Sequence, residues 1–297
     1  MLIWLTAIMF GCGQNVPQFD AQKSFSYLEQ QVQFGPRNPG SIGHIQCRDW
    51  LVSELKEYAG SVQTQDFEHF DSRLDTTIQM SNIVASFNLK AGKRIMLCAH
   101  WDTRPRADRD VDSLQNVPIL GANDGASGVA VLLEIARQFK MQLPEIGVDI
   151  VLFDGEDYGP EGKLDEYFLG SAYFVKKIGG YKPRYAILLD MVGDAQLSLP
   201  IEYHSGRYAP ELTEKVWSAA EELGYSEFQR KTGTAVNDDH IKLIEAGIKA
   251  IDIIDFQYPD ASHRYWHTTK DTPDKCSPQS LKVVGQTVLQ VIYSEES

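Results

Sequence analysis

Short apolar runs alternate with longer amphipathic segments along most of this chain. Several of the runs are almost continuously apolar, which is typical of strands buried on both faces of a parallel sheet. Between them, apolar residues recur at the three- to four-residue spacing of a helix face. This alternation predicts a single-domain, three-layer α/β/α fold with a mostly parallel central sheet. The predicted central strands are residues 94–99, 148–153, 185–189 and 249–254.

The remaining predicted elements follow from the same two periodicities. Partial alternation at 62–70 and 78–87 predicts two further strands. No change in composition divides the elements, so residues 19–297 are predicted to form one domain after a short segment at 1–18. Helices are predicted at 20–34, 41–58, 126–139, 170–177, 209–223 and 280–293, with a short one opening at 238–240.

The N-terminal segment predicts export from the cytoplasm. Residues 1–11 are mostly apolar, too few to span a bilayer but typical of the core of a signal peptide. The following Cys12 makes the site resemble a bacterial lipoprotein cleavage site, although no lysine or arginine precedes the run. We therefore expect a periplasmic or outer-membrane location, with membrane contact only through a lipid on Cys12. A plain secretory signal and a misassigned start codon are the alternatives.

Composition and charge narrow the classes of function. The formal net charge of −13 argues against binding to nucleic acid or to anionic lipid, since both require a basic surface. Cys47, Cys98 and Cys276 lack the spacing of metal ligands, and an odd number argues against a full disulfide framework. Part of the acidic excess is instead expected to surround a cation.

Acidic and imidazole side chains follow the predicted central strands. Ligands bind beyond the carboxyl ends of the strands in such sheets, so these side chains are expected to meet at one edge. Such a cluster is costly unless a cation neutralises it, and nitrogen and oxygen ligands without thiolate suit a catalytic zinc site. A strand-end aspartate can equally be a turn former or a helix cap. The strand-end residues are His100, Asp102, Glu156, Asp157 and Asp190.

Three features of these and neighbouring positions refine this hypothesis. Adjacent side chains point in different directions, so within Glu156-Asp157 one carboxylate can bind metal while the other transfers protons. Asp190 and Asp238 could form the acidic network that keeps such a base near its working pKa. Asp124 lies among small residues directly before a predicted helix, where it is either an N-cap or a metal ligand.

The ordered motifs resemble the zinc aminopeptidase superfamily. Within it, the chain is most similar to the bacterial form of the glutaminyl-peptide cyclotransferases, or glutaminyl cyclases. The resemblance extends from about residue 19 to residue 293. The superfamily motifs are HWD at 100–102, GANDGASG at 121–128, DGED at 154–157, LLD at 188–190 and WH at 266–267. The narrower match is carried by CAHWD at 98–102, DYG at 157–159, LDMVG at 189–193, DDH at 238–240 and YWHT at 265–268.

This resemblance implies a role for each matching position. It implies one zinc per chain, with Glu156 as general acid/base and with Asp190 and Asp238 completing the proton network. In dizinc aminopeptidases the positions of His100 and Asp190 hold a second metal, and the position of Asp238 is commonly serine. The implied zinc ligands are Asp124, Asp157 and His267. The implied substrate-pocket residues are Trp266, Tyr258 and Tyr167, the last standing where bacterial members tend to have tryptophan.

The implied reaction converts the N-terminal glutamine of peptides or proteins to pyroglutamate and releases ammonia. Zinc would polarise the γ-carbonyl while Glu156 moves the proton. Peptides with N-terminal glutamine are the implied partners. The first alternative is a dizinc aminopeptidase that hydrolyses N-terminal residues, and the second is a non-catalytic binding protein of the cell envelope.

Overall fold

A six-stranded sheet forms the centre of the computed structural model, which describes residues 15–296. The strand order is β1-β2-β4-β3-β5-β8, and a separate two-stranded sheet pairs β6 with β7. The strands are β1 (Ser61–Asp71), β2 (Thr76–Phe87), β3 (Arg94–His100), β4 (Gly147–Phe153), β5 (Ala186–Asp190), β6 (Leu199–Ile201), β7 (Phe228–Thr232) and β8 (Ala250–Ile254).

Strands β3, β4, β5 and β8 run parallel, whereas β1 and β2 pair antiparallel at one edge. Met96 of β3 lies opposite Asp149 of β4 on one side and Ala186 of β5 on the other. The carboxyl ends of the four parallel strands therefore meet at one edge of the sheet, as the apolar runs predicted. The polar residues that follow these strands are thereby brought together.

Helices cover both faces of the sheet. Helices α1, α2, α3, α6 and α8 pack around one face, and α4 and α7 pack on the other, where they contact β2, β5 and β8. Each face has its own cluster of buried apolar side chains. The helices are α1 (Ala21–Gln33), α2 (Ile42–Tyr58), α3 (Ala126–Met141), α4 (Leu169–Lys177), α5 (Tyr203–Tyr208), α6 (Pro210–Glu222), α7 (Asp239–Glu245) and α8 (Pro278–Tyr293).

The predicted three-layer architecture is confirmed, and three short elements were not predicted. Strand β6 has three residues including Pro200, and strand β7 buries Phe228 alone. Neither strand shows the alternation of apolar and polar residues by which a strand is recognised in a sequence. Helix α5 is also short, and the carboxylate of Glu202 caps its first turn.

Some predictions concern the chain ends and the cysteines. Cys12 and most of the segment at 1–18 lie outside the described residues, so the export signal and the division after residue 18 stay predictions. Cys47, Cys98 and Cys276 are buried free thiols. Among the helices formed by residues 15–296, none has the length and apolar character required to cross a bilayer.

Candidate active site

A cavity of about 150 Å³ opens where the parallel strands end. Its walls come from the loops that follow β3, β4, β5 and β8 and from the segment before α7. The structure therefore brings side chains from distant parts of the sequence to the predicted edge. Those predicted from the sequence that line it are Asp124, Glu156, Asp157, Tyr167, Asp190, Asp238, Trp266 and His267.

The backbone around Asp124 is held from below by a buried carboxylate. Asp271 accepts hydrogen bonds from the backbone N–H groups of Asn123 at 2.8 Å and Asp124 at 3.0 Å. Burial and the nearby charge of Asp124 raise the pKa of Asp271 to about 7. Asp124 does not cap α3, because the cap residue is Gly125 and no side chain caps this helix. Its carboxylate is thus not used by the helix and lines the cavity.

Gly125 allows α3 to begin close to strand β3. Its backbone has φ 102°, a region that favours glycine, and a Cβ atom would lie 2.4 Å from the carbonyl oxygen of Asp102. The small residues around Asp124 therefore permit the close approach of two backbones. A substitution at Gly125 would displace the carboxylate next to it.

Asp102 positions the adjacent acids Glu156 and Asp157. The Asp102 side chain is fully buried and accepts hydrogen bonds from the backbone N–H of Glu156 at 3.1 Å and of Asp157 at 3.3 Å. One carboxylate thus fixes the turn after β4. Both side chains of the pair reach the cavity from this turn.

Asp124, Asp157 and His267 form a group that fits a metal ion. Their ligand atoms lie within 4.8 Å of one another, with His267 Nε2 3.4 Å from Asp157 Oδ1 and 3.7 Å from Asp124 Oδ2. All three residues are buried, and Asp157 Oδ2 has no hydrogen-bond partner among the described residues. Two carboxylates and one imidazole with an unsatisfied oxygen form a donor set suited to zinc.

The electrostatics of this group point the same way. Burial raises the pKa of Asp157 well above its ordinary value, against the opposing charge of Arg104. Burial also lowers the pKa of His267 well below its ordinary value, with help from the charges of Arg104 and Arg109. A neutral imidazole is the form that binds metal, and a divalent cation would offset the cost of the buried carboxylates.

Arg104 is a central residue of the site, and its pairing with Asp157 was not predicted from the sequence. Its guanidinium is fully buried and forms an ion pair with Asp157, donating to Oδ1. It also donates to both oxygens of Asp108, at 2.8 and 2.6 Å, and to the Tyr167 hydroxyl at 2.6 Å. Asp108 in turn lies 3.7 Å from His267 Nδ1. Arg104 therefore links two of the three candidate ligands.

His100 connects Asp124 to a second acidic group. Its Nε2 lies 3.1 Å from Asp190 Oδ1 and 3.2 Å from Asp124 Oδ1, while its Nδ1 lies 3.8 Å from Glu156 Oε2. Burial acts to lower the pKa of His100, but the hydrogen-bonded carboxylates outweigh it and raise this pKa well above its ordinary value. The ligand atoms of His100, Asp124 and Asp190 also lie within 4.8 Å of one another, so they form a second candidate metal group.

Glu156 faces the cavity within a cluster of acids. Burial raises its pKa well above the ordinary value; the charge of His100 opposes this shift, and those of Asp157 and Asp238 add to it. Burial and the charge of Asp190 likewise raise the pKa of Asp238 well above its ordinary value. Asp190 and Asp238 both line the cavity with Glu156. The predicted acidic network is therefore assembled in one place.

Aromatic side chains form part of the cavity wall. The indole of Trp266 lies 3.9 Å from the imidazole of His267, measured between ring centroids, and Phe256 packs edge-on against it at 5.1 Å. Tyr167 also lines the cavity, and its hydroxyl binds Arg104. Phe256 was not identified from the sequence, since one aromatic residue after a strand carries no distinguishing pattern.

Tyr258 departs from the expectation that it lines the pocket. The side chain is fully buried, and its hydroxyl donates to Asp271 Oδ1 at 2.9 Å. It packs edge-on against Tyr265, with ring centroids 5.3 Å apart. Tyr258 therefore supports the carboxylate beneath Asp124, because its ring occupies the core below the cavity instead of its wall.

Comparison with known proteins identifies the family. The model of peptidase family M28 matches residues 82–292. This chain belongs to peptidase family M28. Among solved structures of the M28 fold, the glutaminyl cyclase of Bacteroides thetaiotaomicron bound to N-acetylhistamine is 42% identical, with a TM-score of 0.90 over 95% of this chain and 100% of that chain.

Two further solved structures are similar to this chain to the same degree. The Tannerella forsythia glutaminyl cyclase is 41% identical, with a TM-score of 0.90 over 94% of this chain and 100% of that chain. A leucine aminopeptidase precursor from B. thetaiotaomicron is 43% identical, with a TM-score of 0.90 over 95% of this chain and 99% of that chain. The resemblance to bacterial glutaminyl cyclases is confirmed. A structure described as an aminopeptidase is equally similar to this chain.

Proposed function

We propose that this M28 protein is a glutaminyl-peptide cyclotransferase that converts N-terminal glutamine to pyroglutamate and releases ammonia. The observation that carries the proposal is the acidic pair Glu156-Asp157. Asp157 belongs to the candidate ligand group, while Glu156 faces the same cavity without belonging to it. The similarity to bacterial glutaminyl cyclases along nearly the whole chain supports the same conclusion.

The cavity suits a single small side chain. Its volume of about 150 Å³ is below the roughly 300–1,000 Å³ of pockets for drug-sized ligands. Trp266 and Phe256 would hold the glutamine side chain so that its γ-carbonyl carbon faces its own α-amine. Such enclosure favours the intramolecular reaction, because the two reacting groups are held in an attack geometry.

Glu156 carries out the proton transfers in this proposal. It accepts a proton from the α-amine as the new C–N bond forms at the carbonyl carbon of the side-chain amide. It then returns the proton to the nitrogen of the side-chain amide as the original bond between this nitrogen and the carbonyl carbon breaks and ammonia leaves. The raised pKa of Glu156 and its acidic neighbours suit a group that must both accept and release a proton.

The metal proposed for this site is a single zinc held by Asp124, Asp157 and His267. When bound, zinc supplies a Lewis acid for the γ-carbonyl oxygen. The count of one is the count that the resemblance to the glutaminyl cyclases implies.

One observation favours a second candidate function. His100, Asp124 and Asp190 have the spacing of a further metal group, as a dizinc aminopeptidase would require. The presence of Asp238 among the cavity acids argues against it, since the resemblance places serine at this position in the dizinc enzymes.

The proposed activity is tested by ammonia release from a peptide that begins with glutamine. We expect release by the purified protein, its loss after metal chelation, and its recovery when one equivalent of zinc is added. A matched peptide that begins with asparagine serves as the control, because its shorter side chain would close a strained four-membered ring. Absence of ammonia from the glutamine peptide would overturn the proposal.

The cellular location is proposed on the sequence alone. We propose that the protein is exported and attached through a lipid on Cys12, as the apolar residues 1–11 before this cysteine suggest. The substrates would then be peptides or proteins of the cell envelope that expose an N-terminal glutamine.

A further inference from the structure

We propose that a polar groove beside the active-site cavity binds the peptide residues that follow the N-terminal glutamine and favours an acidic side chain among them. The inference rests on the proposed function and specifies its substrate class. We call this feature the β7 groove; it has a volume of about 320 Å³. Its walls include Ser198, Lys231, Thr232, Thr234, Asp255 and Gln257.

The β7 groove adjoins the cavity that would hold the glutamine side chain. Val236, Ile254 and Phe256 line both spaces, so these three side chains form the boundary between them. A peptide with its first residue beside Trp266 can cross this boundary in an extended conformation. The residues after the glutamine then lie between β7 and the segment that follows β8.

The side chains of the β7 groove have unused hydrogen-bonding capacity. Within residues 15–296, those of Thr232, Thr234 and Gln257 make no hydrogen bond to protein, and each is exposed. Hydroxyl and amide groups both donate and accept, which matches the alternating N–H and C=O groups of an extended peptide. The groove can therefore bind a backbone regardless of most side chains.

The frame of the β7 groove is held rigidly. Glu202 accepts hydrogen bonds from the backbone N–H of Val236 at 3.1 Å and of Ser205 at 2.6 Å. On the other side, Asp255 accepts one from the backbone N–H of Ser198 at 2.7 Å. A preformed groove loses little conformational freedom when a ligand binds, so even modest contacts contribute to affinity.

Charge gives the β7 groove its selectivity. Lys231 is exposed on the wall of the groove, and no carboxylate of the described residues lies within 4.0 Å of its ammonium group. The two carboxylates that line the groove, Glu202 and Asp255, are buried and accept hydrogen bonds from backbone N–H groups. The adjoining cavity is lined by Asp124, Glu156, Asp190 and other acids, in a chain with a net charge of −13. An acidic side chain is repelled by the cavity but can pair with Lys231 in the groove.

The test uses a series of C-terminally amidated peptides, so that only side chains carry negative charge. Ammonia release is measured for glutamine followed by one to four alanines, then with glutamate or lysine replacing each alanine in turn. We expect kcat/KM to rise with length to a plateau. At one position we expect glutamate to exceed lysine by about two- to fivefold, as for an exposed ion pair, and less at high salt.

The Lys231→Glu variant should invert the preference between glutamate and lysine at that position. Lys182→Glu is the matched control, since it makes the same charge change on an exposed residue. Lys182 precedes β5, whereas the active-site cavity lies at the carboxyl end of that strand. Rates that do not depend on length, together with an unchanged preference in Lys231→Glu, would overturn this inference. Failure of every peptide to release ammonia would overturn the proposed function itself.

Discussion

Replacing Arg104 with methionine would leave the buried carboxylate of Asp157 and the half-buried carboxylate of Asp108 without their shared cation. The guanidinium donates to Asp108 at 2.8 and 2.6 Å and also pairs with Asp157, and it has no exposed surface. Removing one partner of a buried ion pair costs about 3–5 kcal/mol, because the remaining charge stays buried. A loss of this size is a large part of the roughly 5–15 kcal/mol that stabilises a folded domain.

We therefore expect Arg104→Met to lower the free energy of unfolding of the metal-free protein by about 3–5 kcal/mol, measured by urea denaturation in the presence of a chelator. Bound zinc should reduce the deficit, since it supplies positive charge next to Asp157. Arg104→Lys keeps the positive charge but loses the bidentate hydrogen bonds to Asp108, so we expect a smaller loss of unfolding free energy.

Arg109→Met is the matched control for this experiment. Arg109 pairs with Glu161 at 2.7 Å, but both side chains are largely exposed, so its removal should cost only about 0.2–1 kcal/mol. If Arg104→Met destabilises the metal-free protein no more than Arg109→Met does, the role assigned to Arg104 is wrong. A deficit that zinc leaves unchanged would show that Arg104 acts through packing and not through the ligand Asp157.

Other predictions follow from single side chains. Glu156→Gln should lower kcat by about 10²–10⁴-fold while the zinc content stays unchanged; loss of zinc would instead place Glu156 among the ligands. Burial raises the pKa of Asp255 to about 7, so its contribution to stability is full below about pH 4 and is lost as the pH rises to about 7. The difference in unfolding free energy between wild type and Asp255→Asn should therefore change by up to about 1.4 kcal/mol per pH unit in that range, and a constant difference would contradict it. Tyr258→Phe should cost about 0.5–1.5 kcal/mol of stability with little change in KM, because its hydroxyl binds Asp271 outside the cavity; a large rise in KM would return Tyr258 to the pocket wall. When the protein is expressed in a bacterium, a labelled fatty acid should be incorporated into it, and this incorporation should be lost in the Cys12→Ala variant. No incorporation into the wild-type protein would exclude the anchor.

The sequence predicted the fold best where burial of apolar residues determines the structure. Strands β3, β4 and β5 were predicted because burial on both faces requires continuous apolar residues. The acids after them were predicted to meet because parallel strands end at one edge of a sheet. Strands β6 and β7 were missed because β6 has only three residues, including Pro200, and β7 buries Phe228 alone, so neither shows the pattern of a strand.

The residues that support the site could not be predicted from the sequence, because their contacts join positions far apart in the chain. Asp271 binds the backbone at Asn123, and Arg104 binds Asp157, yet no local pattern links these residues. His44 gives a further example: it is buried in α2, with its Nε2 2.9 Å from the carboxylate of Asp154. Pairings of this kind become visible only in three dimensions.

The central claim is that the site closes the glutamine side chain onto its own amine instead of cleaving the peptide bond. One amidated peptide, Gln-Leu-Ala, offers both reactions to the zinc-loaded protein, and mass spectrometry separates the products. We predict pyroglutamyl-Leu-Ala and one equivalent of ammonia, with no free glutamine. Free glutamine together with Leu-Ala, produced without ammonia, would contradict the account and identify an aminopeptidase.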